Sequence, residues 1–108
     1  MSAKRQSFGL LMFVVKREFI SFERDENKWF KNIEKHGIDF PRAATALSQP
    51  HLESQSDQNG ESRILAICPE TERLITIVYT MRGDSCRIIS ARAARKNEQR
   101  AYRQIFGQ

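Results

Sequence analysis

Seven basic side chains crowd the last quarter of the chain, and their type is the clearest chemical signal in it. Arg82, Arg87, Arg92, Arg95, Lys96, Arg100 and Arg103 stand against only Asp84 and Glu98 in residues 82–108. Residues 1–81 carry eleven basic and eleven acidic groups, so the formal net charge of +5 arises wholly at this end. Six of the seven are arginines, whose planar fork of donors matches paired phosphate oxygens where lysine offers a point charge. A cationic end of this kind implies a polyanionic partner, most commonly nucleic acid. A merely solvated basic face is the competing reading.

Other chemistry is thinner. His36 and His51 are fifteen residues apart with no Cys or His close in sequence, so neither a metal site nor a cofactor is expected. There is no Gly-rich phosphate loop, no Gly-x-Ser-x-Gly elbow and no His-Glu-x-x-His pair. His36 falls at the end of a helical stripe, where it either meets the terminal carbonyls, worth about 0.3–1 kcal/mol when charged, or moves protons. Metal-free RNA cleavage needs a group to take the ribose 2′-hydroxyl proton and another to protonate the leaving 5′-oxygen. It also needs positive charge on a phosphate that grows more anionic. Arginines with a His or Tyr suffice for that without being diagnostic.

These groups must be held by a small domain. The chain has 108 residues, 40% hydrophobic and 29% charged, enough for one modest core. Phe19–Phe22 reads as a short strand. Asp25 caps a helix whose apolar stripe is Trp29, Ile33 and His36, and Gly37 ends it. Asp39 opens a second helix with Phe40, Ala43, Ala44 and Leu47 inward and Pro41 tolerated in its first turn. Residues 48–62 read as a long exposed loop with a brief edge strand near His51-Leu52-Glu53.

Three strands follow, over 63–68, 73–81 and 86–91, joined by turns at 69–72 and at Arg82-Gly83-Asp84. The short connections make them an antiparallel meander. Strict alternation puts Arg87 and Arg92 on opposite faces of the last strand unless a bulge intervenes. Tyr79 shares its face with Ile75 and Ile77 and reads as a core aromatic. A final helix over 94–106 turns Ala94, Ala101, Tyr102 and Ile105 inward and displays Arg95, Lys96 and Arg103, with Arg100 at the margin. Glu98 and Tyr102 lie one turn apart. The expected fold is α+β, with two N-terminal helices and a C-terminal helix packed on one face of an antiparallel sheet.

Residues 1–18 read as an N-terminal extension and 19–108 as a single domain. The apolar run Phe8–Val15 is too short to span a bilayer and lacks a cleavage site for export. Cys68 and Cys86 sit in strand-like runs as small buried hydrophobes, which suits a reducing, cytoplasmic setting and no membrane.

Phe22-Glu23-Arg24-Asp25, Lys28, Asn32, Lys35-His36-Gly37-Ile38-Asp39-Phe40 and Ala43-Ala44 resemble the opening signature of the BrnT toxin family. So do Tyr79-Thr80, Arg82-Gly83, Arg87-Ile88-Ile89-Ser90-Ala91-Arg92, Ala94, Glu98 and Tyr102 at its close. The resemblance spans roughly residues 19–103. It implies a RelE-like ribonuclease that cuts RNA and blocks translation. It also implies a BrnA-like ribbon-helix-helix antitoxin that covers the toxin and binds operator DNA on its behalf. Carried over by position, the functional residues are Lys35, His36, Arg63, Arg82, Arg87, Arg92 and Tyr102. Arg63 and Arg92 are expected to stabilise phosphate and His36 to transfer the proton, with Arg95, Lys96, Arg100 and Arg103 adding RNA contacts. Three departures stand out: Arg24 replaces a usual Trp, Cys68-Pro69 replaces an expected Gly, and residues 1–18 have no counterpart. The alternative function is a non-catalytic module that binds nucleic acid or only an antitoxin.

Overall fold

The structure, a computed structural model, describes residues 12–23 and 25–107. The start of the apolar run at Phe8 and the unusual Arg24 lie outside these residues. Nine elements follow in order: β1 (Met12–Val15), β2 (Ser21–Glu23), α1 (Glu26–His36), α2 (Phe40–Leu47), β3 (His51–Gln55), β4 (Ile64–Glu70), β5 (Arg73–Arg82), β6 (Ser85–Ala93) and α3 (Lys96–Phe106). The strands form one sheet in the order β1-β3-β4-β5-β6-β2.

The expected meander is present as β3-β4-β5-β6, all antiparallel, with β1 added antiparallel to β3. The sheet is nevertheless mixed, because β2 pairs parallel to β6 through Ser21↔Ser85 to Glu23↔Arg87. No hairpin joins those two strands, so no short turn forces them to run in opposite directions.

The helices do not share one face, contrary to the expectation. On one side α1 and α2 lay Ile38, Phe40, Ala43 and Leu47 over Ala66, Cys68, Ile75, Ile77, Tyr79, Ile88 and Ala91. On the other side Ala101, Tyr102 and Phe106 of α3 pack with Leu52, Leu65, Ile67 and Leu74. The cause is readable in β4, whose apolar residues run on through both pleats, so each face needs its own cover.

Local signals place the helix ends well. Asp25 accepts a hydrogen bond from the Lys28 amide at 3.2 Å, and Asp39 accepts from Arg42 at 3.0 Å. Gly37 closes α1 at φ +73°, a left-handed conformation that glycine adopts without strain. The predicted stripes fit less well. Ile33 is exposed and Asn32 is the buried residue of α1, while in α3 Ile105 faces solvent and Phe106 packs instead.

β3 is not the brief edge strand of the sequence reading. With β1 outside it, His51 to Ser54 are all buried. The Glu53 carboxylate accepts from Arg17 Nη2 at 2.7 Å, from the Tyr79 hydroxyl at 2.6 Å, and stands 2.8 Å from His51 Nε2. Tyr79 is thus the core aromatic expected, with its hydroxyl tied to an interior carboxylate rather than sitting at the sheet edge.

Candidate functional site

A one-residue irregularity in β6 decides which arginines meet. Tyr79 pairs with Ile88 and Val78 with Ser90, so Ile89 is the extra residue of a β-bulge. Cys86 and Ile88 before it, and Ala91 after it, all belong to the core under α1 and α2. Arg87 and Arg92 therefore share the opposite face, where strict alternation would have separated them. The bulge reverses that expectation.

Asn32 fixes the strand beside the bulge. Its Oδ1 accepts from the Ala91 amide at 3.1 Å, and its Nδ2 donates to the Ala91 and Ile38 carbonyls, both at 2.8 Å. The parallel strand β2 ends opposite Arg87, so the Asn32 side chain supplies the hydrogen bonds that a neighbouring strand would give Ala91.

On this face the first turn of α3 and the starts of β4 and the preceding loop enclose a hollow of about 390 Å³. Arg63, Arg92 and Arg95 line it, together with Ser90, Asn97 and Glu98. Arg92 forms a two-pronged pair with Glu98, both contacts at 2.8 Å. Glu98 also accepts from the Thr76 hydroxyl and the Arg95 amide, each at 2.8 Å. Burial pushes the Glu98 carboxyl up, but these hydrogen bonds and the Arg92 charge outweigh it and hold it below its ordinary range.

Arg63 donates to Glu61 at 2.8 Å and to Gln58 at 3.0 Å. Glu61 is held low first by that Arg63 hydrogen bond, and the charges of Arg87 and Arg82 add to it. Those two arginines do not line the hollow themselves. Among the described residues Arg82 otherwise has only a long contact of 4.0 Å to Glu23.

Not every expected residue joins them. Half-buried His36 does not line the hollow, yet Arg92 reaches it electrostatically. Burial, then the charges of Lys35 and Arg92, push its pKa below the ordinary value. Lys35 is exposed beside it. Tyr102 turns away: it stacks on Phe106 with ring centroids 4.4 Å apart and lines a separate hollow with Arg103. Lys96 and Arg100 are exposed and border neither hollow.

Two residues that position the site went unrecognised in the sequence. Glu98 was paired with Tyr102, although its place three residues after Arg95 is the N3 position of a capping box, where a Glu reaches back to the N-cap amide. Asn32 carried no signal beyond the family's pattern. Among the described residues no group of three His, Cys, Asp or Glu side chains gathers to hold a metal ion. Cys68 and Cys86 are free and buried, and burial raises both thiols, Cys86 to about 12, which disfavours the thiolate form.

Taken together, a sheet with helices on both faces and an arginine-lined hollow at the first turn of α3 describe a small protein suited to gripping an anion. The family model for the ribonuclease toxin BrnT of type II toxin–antitoxin systems matches residues 25–98. The chain belongs to that family. A comparison with curated proteins found no match. None of its described helices is long and apolar enough to cross a membrane.

Proposed function

We propose that this chain is a cytoplasmic endoribonuclease toxin that cleaves RNA without a metal, inhibits translation and is neutralised by a cognate antitoxin. Membership of a type II family implies an antitoxin. The finer reading takes that partner to be a BrnA-like ribbon-helix-helix protein, through which the pair reaches operator DNA, and takes the fold to be RelE-like. The observation that carries the catalytic part is the convergence of Arg63, Arg92 and Arg95 on one hollow.

In this reading the ribose 2′-oxygen attacks the adjacent phosphorus and the bond to the 5′-oxygen breaks. His36 is proposed as the group that takes the 2′-hydroxyl proton although it stands outside the hollow, so the ribose must reach past Arg92 to meet it. Its lowered pKa favours the neutral form that accepts a proton. Arg63 and Arg95 face the phosphate oxygens as charge accumulates, with Arg92 locked in place by Glu98. The hollow is open to water, which supplies the proton for the leaving oxygen.

The second reading is a module that holds nucleic acid or antitoxin and cuts nothing. One observation favours it: Arg63 and Arg92 are already paired with carboxylates. Inducing the chain alone in a bacterium separates the two. Catalysis predicts growth arrest with fragmented RNA, relieved by Arg63→Ala and by His36→Ala. If wild-type induction leaves growth and bulk RNA untouched, the holding module stands instead.

A further inference from the structure

We propose that the hollow beside Tyr102 is a seat for a nucleobase of single-stranded RNA, next to the phosphate held by the arginines. This rests on the ribonuclease reading and gives Tyr102, which the family resemblance marks as functional, a substrate-binding role. The hollow measures about 580 Å³, larger than the arginine-lined one. Pro69, Leu74 and Tyr102 give its lining an apolar part and Gln99 an amide, while its charged residues are Arg103, Arg73, which pairs with Glu70 at 3.4 Å, and one acid, Glu72.

Each part suits a nucleotide. Any base can stack on an aromatic ring whatever its sequence. Phe106 stacks against Tyr102 at 4.4 Å with the planes 22° apart, so the ring is braced. Gln99 is held by two contacts, donating to the Ala94 carbonyl at 3.0 Å and accepting from Arg103 at 3.3 Å. Those contacts turn Arg103 along the helix beside the ring.

Position makes the hollow more than a second basic patch. Arg92 and Arg95 line the first hollow, while Ala93 and Ala94, the residues between them, line the second. The link from β6 to α3 is thus the ridge separating the two. A strand crossing that ridge sets a phosphate among the arginines and an adjacent base against Tyr102.

Binding of a short single-stranded RNA made uncleavable by 2′-O-methyl groups tests this, alongside cleavage of its all-ribose counterpart. Tyr102→Leu should weaken binding by about 5- to 100-fold, the range of a lost base stack. Tyr102→Phe, which keeps the ring, should retain the binding that Tyr102→Leu loses. Arg103→Ala, at an exposed position, should weaken binding without unfolding the protein. An abasic nucleotide at the seated position should weaken the wild type as much as Tyr102→Leu does, with no further loss when the two are combined.

If the wild type cuts RNA while folded Tyr102→Leu and Arg103→Ala bind as it does, the seat is wrong and the ribonuclease reading survives. Loss of binding in folded Tyr102→Phe as large as in Tyr102→Leu would make the hydroxyl and not the ring the contact, and overturn the seat. If the wild type binds with this Tyr102 dependence but never cuts, the seat stands and the nuclease reading falls. An absence of any RNA binding removes both.

Discussion

Glu98 is only 2% exposed, yet its carboxylate is charged because four hydrogen bonds from Arg92, Thr76 and the Arg95 amide replace water. Taking Arg92 away leaves that charge buried and largely uncompensated, which costs several kcal/mol in comparable pairs. Arg92→Ala should therefore lower stability by about 3 kcal/mol, read by urea unfolding, as well as weaken any RNA contact. Arg63 is different. Its partner Glu61 is half-exposed, where water screens the pair, so Arg63→Ala should abolish activity with its unfolding midpoint nearly unchanged. Equal stability losses in both variants would contradict the difference in burial. Glu53 gives a pH prediction of the same kind. Burial raises its carboxyl, but hydrogen bonds from His51, Arg17 and Tyr79, with the Arg17 charge, hold it at about 2. A carboxyl depressed on folding stabilises the protein above its unfolded value and loses that contribution as pH falls through its folded value. Stability should therefore drop between about pH 4.5 and pH 2, and Glu53→Gln should flatten the curve in that window. A variant that keeps the wild-type acid limb would remove Glu53 from its cause.

The elements place these residues with different degrees of sequence control. Strand β6 carries Arg87 and Arg92 on one face only because of its bulge at Ile89, and Asn32 holds the strand just beyond it. Asn32→Ala should strip the Ala91 amide and carbonyl of their partners, costing about 1–3 kcal/mol. In a domain of this size that is a fall in melting temperature of roughly 5–20 °C. Cleavage should fall further than folding explains, because Arg92 hangs on the freed strand. Retained cleavage in a folded Asn32→Ala protein would mean that β6 keeps its course unaided. The contrast with the helix ends is instructive. Asp25, Gly37 and Asp39 were legible because a cap is decided by residues within a turn of it. The bulge, the burial of β3 and the separation of α3 onto its own face were not, because each depends on pairing between distant segments. Glu53 looks like a loop residue until Arg17, thirty-six positions earlier, lies against it. The arginines themselves were legible as a cationic set, but which of them meet was written in the register of β5 on β6.

At the scale of the whole molecule the question is whether the positive charge acts as a focused site or as a diffuse face. The net charge of +5 is modest, and Arg63 and Arg92 are already paired within the fold. Among the described residues Arg87 and Arg95 make no ion pair, and Arg82 has only its 4.0 Å contact to Glu23. Counterion release from single-stranded nucleic acid gives a slope of about −0.7 per neutralised phosphate in a plot of log affinity against log salt. Three unencumbered arginines correspond to a slope near −2, and engagement of all five around the hollow to roughly −3.5. Arg87→Ala should reduce the slope by about 0.7, because its charge acts on Glu61 beside Arg63 and among the described residues it makes no ion pair. Arg100→Ala should change it less, since Arg87, and not Arg100, is among the charges that hold Glu61 low beside Arg63. Titrations of uncleavable RNA from low to moderate salt make the comparison directly. Equal reductions from the two substitutions would mean that RNA senses only the overall charge, and the focused grip on one phosphodiester would lose its physical basis.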